Sequence, residues 1–165
     1  MRNLIFVGLP GSGKSTVGRL CAKALNLPFV DADKFLEQRE GRSVADIFAS
    51  SGEGYFRDLE SRVLAELCRR EGIVLATGGG AVLRRENRTL LKGSGLVIFL
   101  DRSPWAIRRT LRRQGRPLLT DDGAIFRLAR QRRDLYRAAA HHSVNKSTAR
   151  QAAEEAVRLW REEQT

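Results

Sequence analysis

Five short apolar runs recur along the chain: NLIFVG at 3–8, PFVD at 28–31, GIVLAT at 72–77, LVIFLD at 96–101 and, more weakly, HSVN at 142–145. Stretches of helical periodicity lie between them. The runs are apolar at consecutive positions, which suits strands covered on both faces. That pattern predicts a parallel sheet with helical crossovers, hence an α/β chain. Helix punctuation agrees. Ser43 is placed to cap VADIFASS, with Gly52 near its far end. Ser103-Pro104 supplies an N-cap and a first-turn proline for WAIRRTLRR, and Ser147 and Thr148 precede a last helix over about 148–163.

Two segments exceed a plain βαβ repeat. About forty residues with several helical patterns separate the second and third runs. Between WAIRRTLRR and FRLARQRRDLY sits QGRPLLTDDGA at 114–124, rich in glycine and acids beside arginines. A flexible loop in such a place commonly acts as a lid.

At 165 residues the chain fits one domain with a real core. Apolar content is 42%, and no run approaches the ~20 residues of a membrane span. The N-terminal apolar hexad is shorter than the ~7–15 residues of a signal core, so a buried strand explains it better. Cys21 and Cys68 lie far apart with no CxxC or His partner. They read as core thiols, as expected in a reducing cytoplasm. The net charge of +11 comes mostly from 25 arginines spread over the whole chain. Without an RRM, KH or zinc-finger signature, this suits a solvated basic surface and a site that handles anions better than a specific nucleic-acid partner.

The sharpest motif is GLPGSGKS, Gly8 to Ser15, which matches GxxxxGK[ST] between a predicted strand and a predicted helix. The backbone N–H groups of Gly11, Ser12 and Gly13 can wrap a phosphate there, aided by the positive end of the following helix. Lys14 would reach the β- and γ-phosphates, with Thr16 nearby, and Ser15 would ligate Mg²⁺. The chain thus binds a nucleoside triphosphate. It carries no NKxD base-reading motif of the GTPase kind, and its length favours a compact kinase over a motor ATPase.

Other polar residues gather downstream. Asp31 and Asp33 end the second run one residue apart. If both lie on the strand, they point to one side and need a cation or donor close by. Arg57 and Glu60 in GEGYFRDLE are three apart on a predicted helix; spacing alone favours a surface ion pair. ATGGGAV closes the third run with Gly78, Gly79 and Gly80, where backbone can approach a ligand at the carboxyl end of a strand.

Taken together, GLPGSGKST, DAD, GRSVADIFASSGEGYFRDLE, GGG, RPLL at 116–119 and RRDLY at 132–136 resemble the shikimate kinase family over essentially the whole chain. The resemblance implies a P-loop fold of the nucleoside-monophosphate-kinase type. It would have a central five-stranded parallel sheet, helices on both faces, a substrate-binding insertion at 33–60 and a lid at 111–123. It implies a monomeric, cytoplasmic enzyme that uses ATP as co-substrate and Mg²⁺ as cofactor to phosphorylate the 3-hydroxyl of shikimate.

It also implies roles by position. Asp33 would bind the substrate hydroxyls and help deprotonate the attacking one. Arg57 and Arg132 would grip the carboxylate, with Glu60 orienting Arg57. Gly78, Gly79 and Gly80 would add backbone contacts. Arg116 would close onto the ATP phosphates, and Arg109 would lie along the adenine. Asp31 would hold Mg²⁺ opposite Ser15, and Arg150 is the candidate for a further adenine contact in VNKSTARQ. A gluconate or nucleotide kinase would share the P-loop but gives no reason for DAD, FRDLE and GGG together. A nucleic-acid-stimulated ATPase is the rival from another class.

Overall fold

The computed structural model describes residues 2–113 and 123–165. In chain order the first elements are β1 (Asn3–Val7), α1 (Lys14–Leu25), β2 (Phe29–Asp31), α2 (Ala32–Glu40), α3 (Val44–Leu67) and β3 (Val74–Ala76). They are followed by α4 (Arg85–Ser94), β4 (Gly95–Leu100), α5 (Pro104–Arg113), α6 (Ala124–Ala139), β5 (His142–Val144) and α7 (Ala149–Glu163). The five strands form one parallel sheet in the order β2-β3-β1-β4-β5. All five predicted runs are strands, most of them shortened by a residue or two at the ends.

The continuous apolar runs have the cause expected of them. In β1, Ile5 and Val7 point into a core shared with α2 to α6, while Leu4 and Phe6 point to the opposite face against α1 and α7. Both alternating sets are therefore buried. Leu75, Val97 and Phe99 join the first core, and Val74, Leu96 and Ile98 the second.

Parallel strands end at one edge of the sheet, so the loops after them open into a common crevice. Asn3 helps set this alignment. Its Oδ1 accepts from the Ile73 N–H at 3.0 Å and its Nδ2 donates to the Arg70 carbonyl at 2.7 Å. These bonds seat β3 beside β1 in the register Leu4 to Val74, so the glycines after Ala76 stand next to the phosphate loop.

The excursion between β2 and β3 is α2 and α3. Ser43 caps α3 through its hydroxyl, which accepts from the Asp46 N–H at 3.1 Å. At Gly52 the backbone takes φ 83° and ψ 170°, a conformation open to glycine, and the helix kinks there. The second part, 53–67, then packs Phe56, Leu59, Val63 and Leu64 into the core. Ser103 and Thr148 cap α5 and α7 by accepting from the N–H groups of Ala106 and Gln151. Among the described residues, no helix is long and apolar enough to cross a membrane.

Candidate active site

The phosphate loop joins β1 to α1. Gly11 and Gly13 hold φ 76° and 95°, left-handed values that turn successive N–H groups toward one point at the head of α1. Lys14, the first helical residue, is buried, and its ammonium donates to the carbonyls of Gly8 at 2.6 Å and Leu9 at 2.8 Å. Burial lowers its pKa to about 8, against the opposing pull of Asp33 and Asp31. Ser12 Oγ, Arg57 Nε and Glu60 Oε2 are buried with no hydrogen-bond partner among the described residues.

The two aspartates do not share a strand. β2 stops at Asp31, which becomes the N-cap of α2, and Asp33 falls in the first turn of that helix. Both line the same cleft because of the strand-to-helix turn, not because of a period of two. Asp31 Oδ1 accepts from the Lys34 N–H at 3.1 Å, and Oδ2 accepts from Ser15 Oγ at 2.7 Å. Asp31 therefore ties the start of α2 to the head of α1.

Asp33 faces a different set of groups. Burial, and then the nearby Glu60 and Asp31 carboxylates, raise its pKa to about 6, with Lys14 pulling the other way. Arg57 and Glu60 do not form the surface pair that spacing favours. Glu60 is 3% exposed, and its Oε1 accepts from Arg57 Nη1 at 2.8 Å inside the protein. The turn after β3 folds over this face of α3 and covers them. Burial raises the pKa of Glu60 in spite of Arg57.

The three glycines make that covering possible. A Cβ on Gly78 would lie 2.7 Å from Asp33 Oδ1, and one on Gly79 would lie 2.7 Å from Pro10 Cδ. One on Gly80 would run into the Arg57 guanidinium. Their carbonyls are all engaged: Gly78 by the Ala81 N–H, Gly80 by the Leu83 N–H, and Gly79 by the Tyr136 hydroxyl at 2.6 Å. Among the described residues, none of the three N–H groups makes a hydrogen bond. The turn thus presents donors.

Arg132 on α6 lies within electrostatic reach of Lys14, Glu60 and the Tyr136 oxygen, so the predicted carboxylate pair converges on one region. The phosphate loop from Gly11 to Thr16, with Asp31, Asp33, Gly78 and Gly79, lines one cleft of about 660 Å³. Other predicted residues stand apart. Arg109 is exposed on α5, beside the cleft-lining Thr110. Arg150 is exposed on α7 and pairs with Glu154 at 3.1 Å. Residues 144–149 form that wall of the cleft instead. Arg116 lies outside the described residues, as does most of the predicted lid.

Sequence reasoning missed Arg102, which follows β4, lines the cleft and donates to Thr110 Oγ1 at 2.6 Å. Burial, then Arg109, lowers its pKa. Its place just past a strand's carboxyl end was the available signal. Tyr136 was also missed, because a buried aromatic on a helix reads as core.

The shikimate kinase family profile matches residues 10–161. A shikimate kinase of Thioalkalivibrio sulfidiphilus is 46% identical over 165 aligned residues, spanning 96% of this chain and 87% of that one. The solved structure of shikimate kinase from Acinetobacter baumannii in complex with shikimate superposes with a TM-score of 0.91 at 37% identity. It covers 99% of this chain and 94% of that one. A gluconokinase from Sinorhizobium meliloti, at 20% identity and a TM-score of 0.60 over 99% of this chain and 95% of that one, shares the fold alone. The chain belongs to the shikimate kinase family of ATP-dependent phosphotransferases.

Proposed function

We propose that this member of the family moves the γ-phosphate of ATP onto the 3-hydroxyl of shikimate, with the residues above in distinct roles. The observation that carries this is the arrangement around Asp33. Its carboxylate is close enough to Lys14 for each to influence the other's protonation, and it sits beside the Arg57–Glu60 pair. Phosphate donor and hydroxyl acceptor are thus served from adjoining walls.

ATP would lay its phosphates along the N–H groups of Gly11 to Ser15, with Ser12 Oγ and Thr16 beside them. Lys14 holds two loop carbonyls and has a third N–H to offer the transferring phosphoryl group. Arg57 and Arg132 suit a planar carboxylate because a guanidinium presents paired donors. Asp33, with a pKa of about 6, is mostly ionised at neutral pH and basic enough to take the hydroxyl proton as that oxygen attacks phosphorus. The bond from phosphorus to the ADP oxygen breaks in the same displacement. Free glycine N–H groups at 78–80 would hold the acceptor.

Ser15 and Asp31 fit a magnesium ion. Two oxygen donors 2.7 Å apart stand at the phosphate loop, and among the described residues no group of three His, Cys, Asp or Glu would cage a metal by itself. Mg²⁺ commonly takes few protein ligands and completes its shell with phosphate and water. When bound it would neutralise phosphate charge. Residues 33–60 would serve as the acceptor-binding subdomain, and 111–123, mostly outside the described residues, would be the lid that carries Arg116 to the phosphates. Arg109 keeps its proposed place along the adenine, while Arg102 and residues 145–148 are better placed than Arg150 to complete the nucleotide wall. The proposed protein is a cytoplasmic monomer whose partners are ATP and shikimate, without a specific nucleic acid or membrane. The free thiols of Cys21 and Cys68 accord with the reducing compartment alone.

The test is ADP release coupled to a dehydrogenase readout, with Asp33→Asn alongside the native chain. Native protein should turn over shikimate, and Asp33→Asn should lose transfer while still binding ATP. Loss of ATP binding alone, with shikimate affinity intact, would refute the assignment of Asp33.

A further inference from the structure

The Tyr136 side chain is fully buried, its ring 5.2 Å from that of Phe99 on β4. Packing alone would be met as well by phenylalanine. The hydroxyl has a specific partner: it donates to the Gly79 carbonyl at 2.6 Å, across 57 positions of sequence. Among the described residues, this is the one hydrogen bond tying α6 to the turn after β3. Arg132 lies one helical turn earlier, and the i, i+4 spacing sets both side chains on the same face of α6. The Arg132 guanidinium is near enough to the phenol oxygen to act on it, as are Arg57 and Glu60 more weakly.

We infer that Tyr136 is a positioning residue for the acceptor: one buried phenol registers the Gly79 peptide against the Arg132 guanidinium. The Gly79 carbonyl, once held, fixes the plane of its peptide and so the direction of the Gly80 N–H. The same oxygen stands beside the arginine that meets the substrate carboxylate. Two groups offered to one small acceptor, the Gly80 N–H and the Arg132 guanidinium, are thereby held at a set separation, and sub-ångström misplacement of such groups is costly to binding. Among the described residues the phenol makes no hydrogen bond to the phosphate loop, so the nucleotide should sense its loss far less than the acceptor does. This inference rests on the proposed role of Arg132.

The experiment compares native protein with Tyr136→Phe, Arg132→Lys and the double variant, measuring KM for shikimate and for ATP separately. Tyr136→Phe keeps the ring against Phe99, and an ATP KM within about twofold of native shows that the fold is intact. The expected result is a shikimate KM raised about tenfold, the size of one lost hydrogen bond. The double variant should fall short of the product of the single effects, because both act on one contact. An unchanged shikimate KM in Tyr136→Phe, with Arg132→Lys raising it, would overturn the inference and leave the role of Arg132 standing. Equal rises in both KM values would also overturn it, since a general loosening would do that. If Arg132→Lys leaves the shikimate KM unchanged, the carboxylate role fails and the linkage fails with it.

Discussion

The carboxylates of Asp33 and Glu60 approach the same point above Gly78: a Cβ placed there would lie 2.7 Å from Asp33 Oδ1 and 3.1 Å from Glu60 Oε2. Two acids so close, largely shielded from water, cannot both ionise freely. Arg57 holds one oxygen of Glu60, yet burial still raises the pKa of that acid, and at Asp33 the neighbouring carboxylate adds to burial. The penalty falls on Asp33, whose pKa rises to about 6 through burial first and Glu60 second. In the role proposed for it, Asp33 would be a base near neutrality, where proton transfer is most effective.

A pH profile follows from this. The kcat/KM for shikimate should rise with pH through an acid limb near 6, as Asp33 loses its proton in the free enzyme. Glu60→Gln removes a negative neighbour and should move that limb to lower pH while weakening shikimate binding through Arg57. Steady-state kinetics from pH 5 to 8 checks both effects, and a limb left in place by Glu60→Gln would contradict the coupling.

The same shift has a stability consequence of definite sign. Asp33 has a folded pKa near 6, above its ordinary value of 3.8, so the folded state binds its proton more tightly than the unfolded chain. Stability from this group is present below about pH 4 and is lost as pH rises through 6, by roughly 3 kcal/mol for a shift of this size. Asp33→Asn should therefore raise Tm at pH 7.5, with the gain shrinking toward pH 4. Thermal denaturation at the two pH values measures it; an equal Tm change at both would contradict the assignment.

Gly80→Ala tests the close approach of the turn to Arg57. The added methyl collides with the guanidinium, so Arg57 must swing away from Glu60 and from the acceptor. Shikimate KM should rise tenfold or more, with the ATP KM changed little. Kinetics at saturating ATP gives the comparison, and a native shikimate KM would show that Arg57 moves without consequence.

Lys14→Met removes the ammonium that the phosphate loop holds through Gly8 and Leu9. Methionine fills the same volume without the charge, so the fold should persist while phosphoryl transfer falls by several orders of magnitude. Retention of most activity in the coupled assay would contradict the phosphate site.

Parts of this architecture are legible in the sequence for physical reasons. The strands show because a sheet covered on both faces buries every residue of β1 and β4, leaving unbroken apolar runs. The phosphate loop shows because Gly11 and Gly13 answer a backbone requirement that few residues meet. What stayed hidden depends on contacts distant in sequence. Helix α4 turns Asn87 and Leu91 inward and is otherwise partly or fully exposed, so its apolar signal is slight. The spacing of Arg57 and Glu60 favours a surface pair, and the turn at 78–80, distant in sequence, packs against it and buries it instead. Tyr136 gives no outward sign of its bond to Gly79. The pairing of Arg150 with Glu154 at i, i+4, by contrast, was readable from spacing and argues for a solvated face.

Acceptor choice separates this enzyme from others on the same scaffold. The assay is coupled ADP release with Mg-ATP and, in turn, shikimate, quinate, gluconate, a nucleoside monophosphate and RNA. Shikimate should give rapid, stoichiometric ADP and a product phosphorylated at the 3-hydroxyl, with the others near the rate in buffer alone. Release no faster with shikimate than with water, or transfer preferring gluconate or a nucleotide, would contradict the proposed acceptor site.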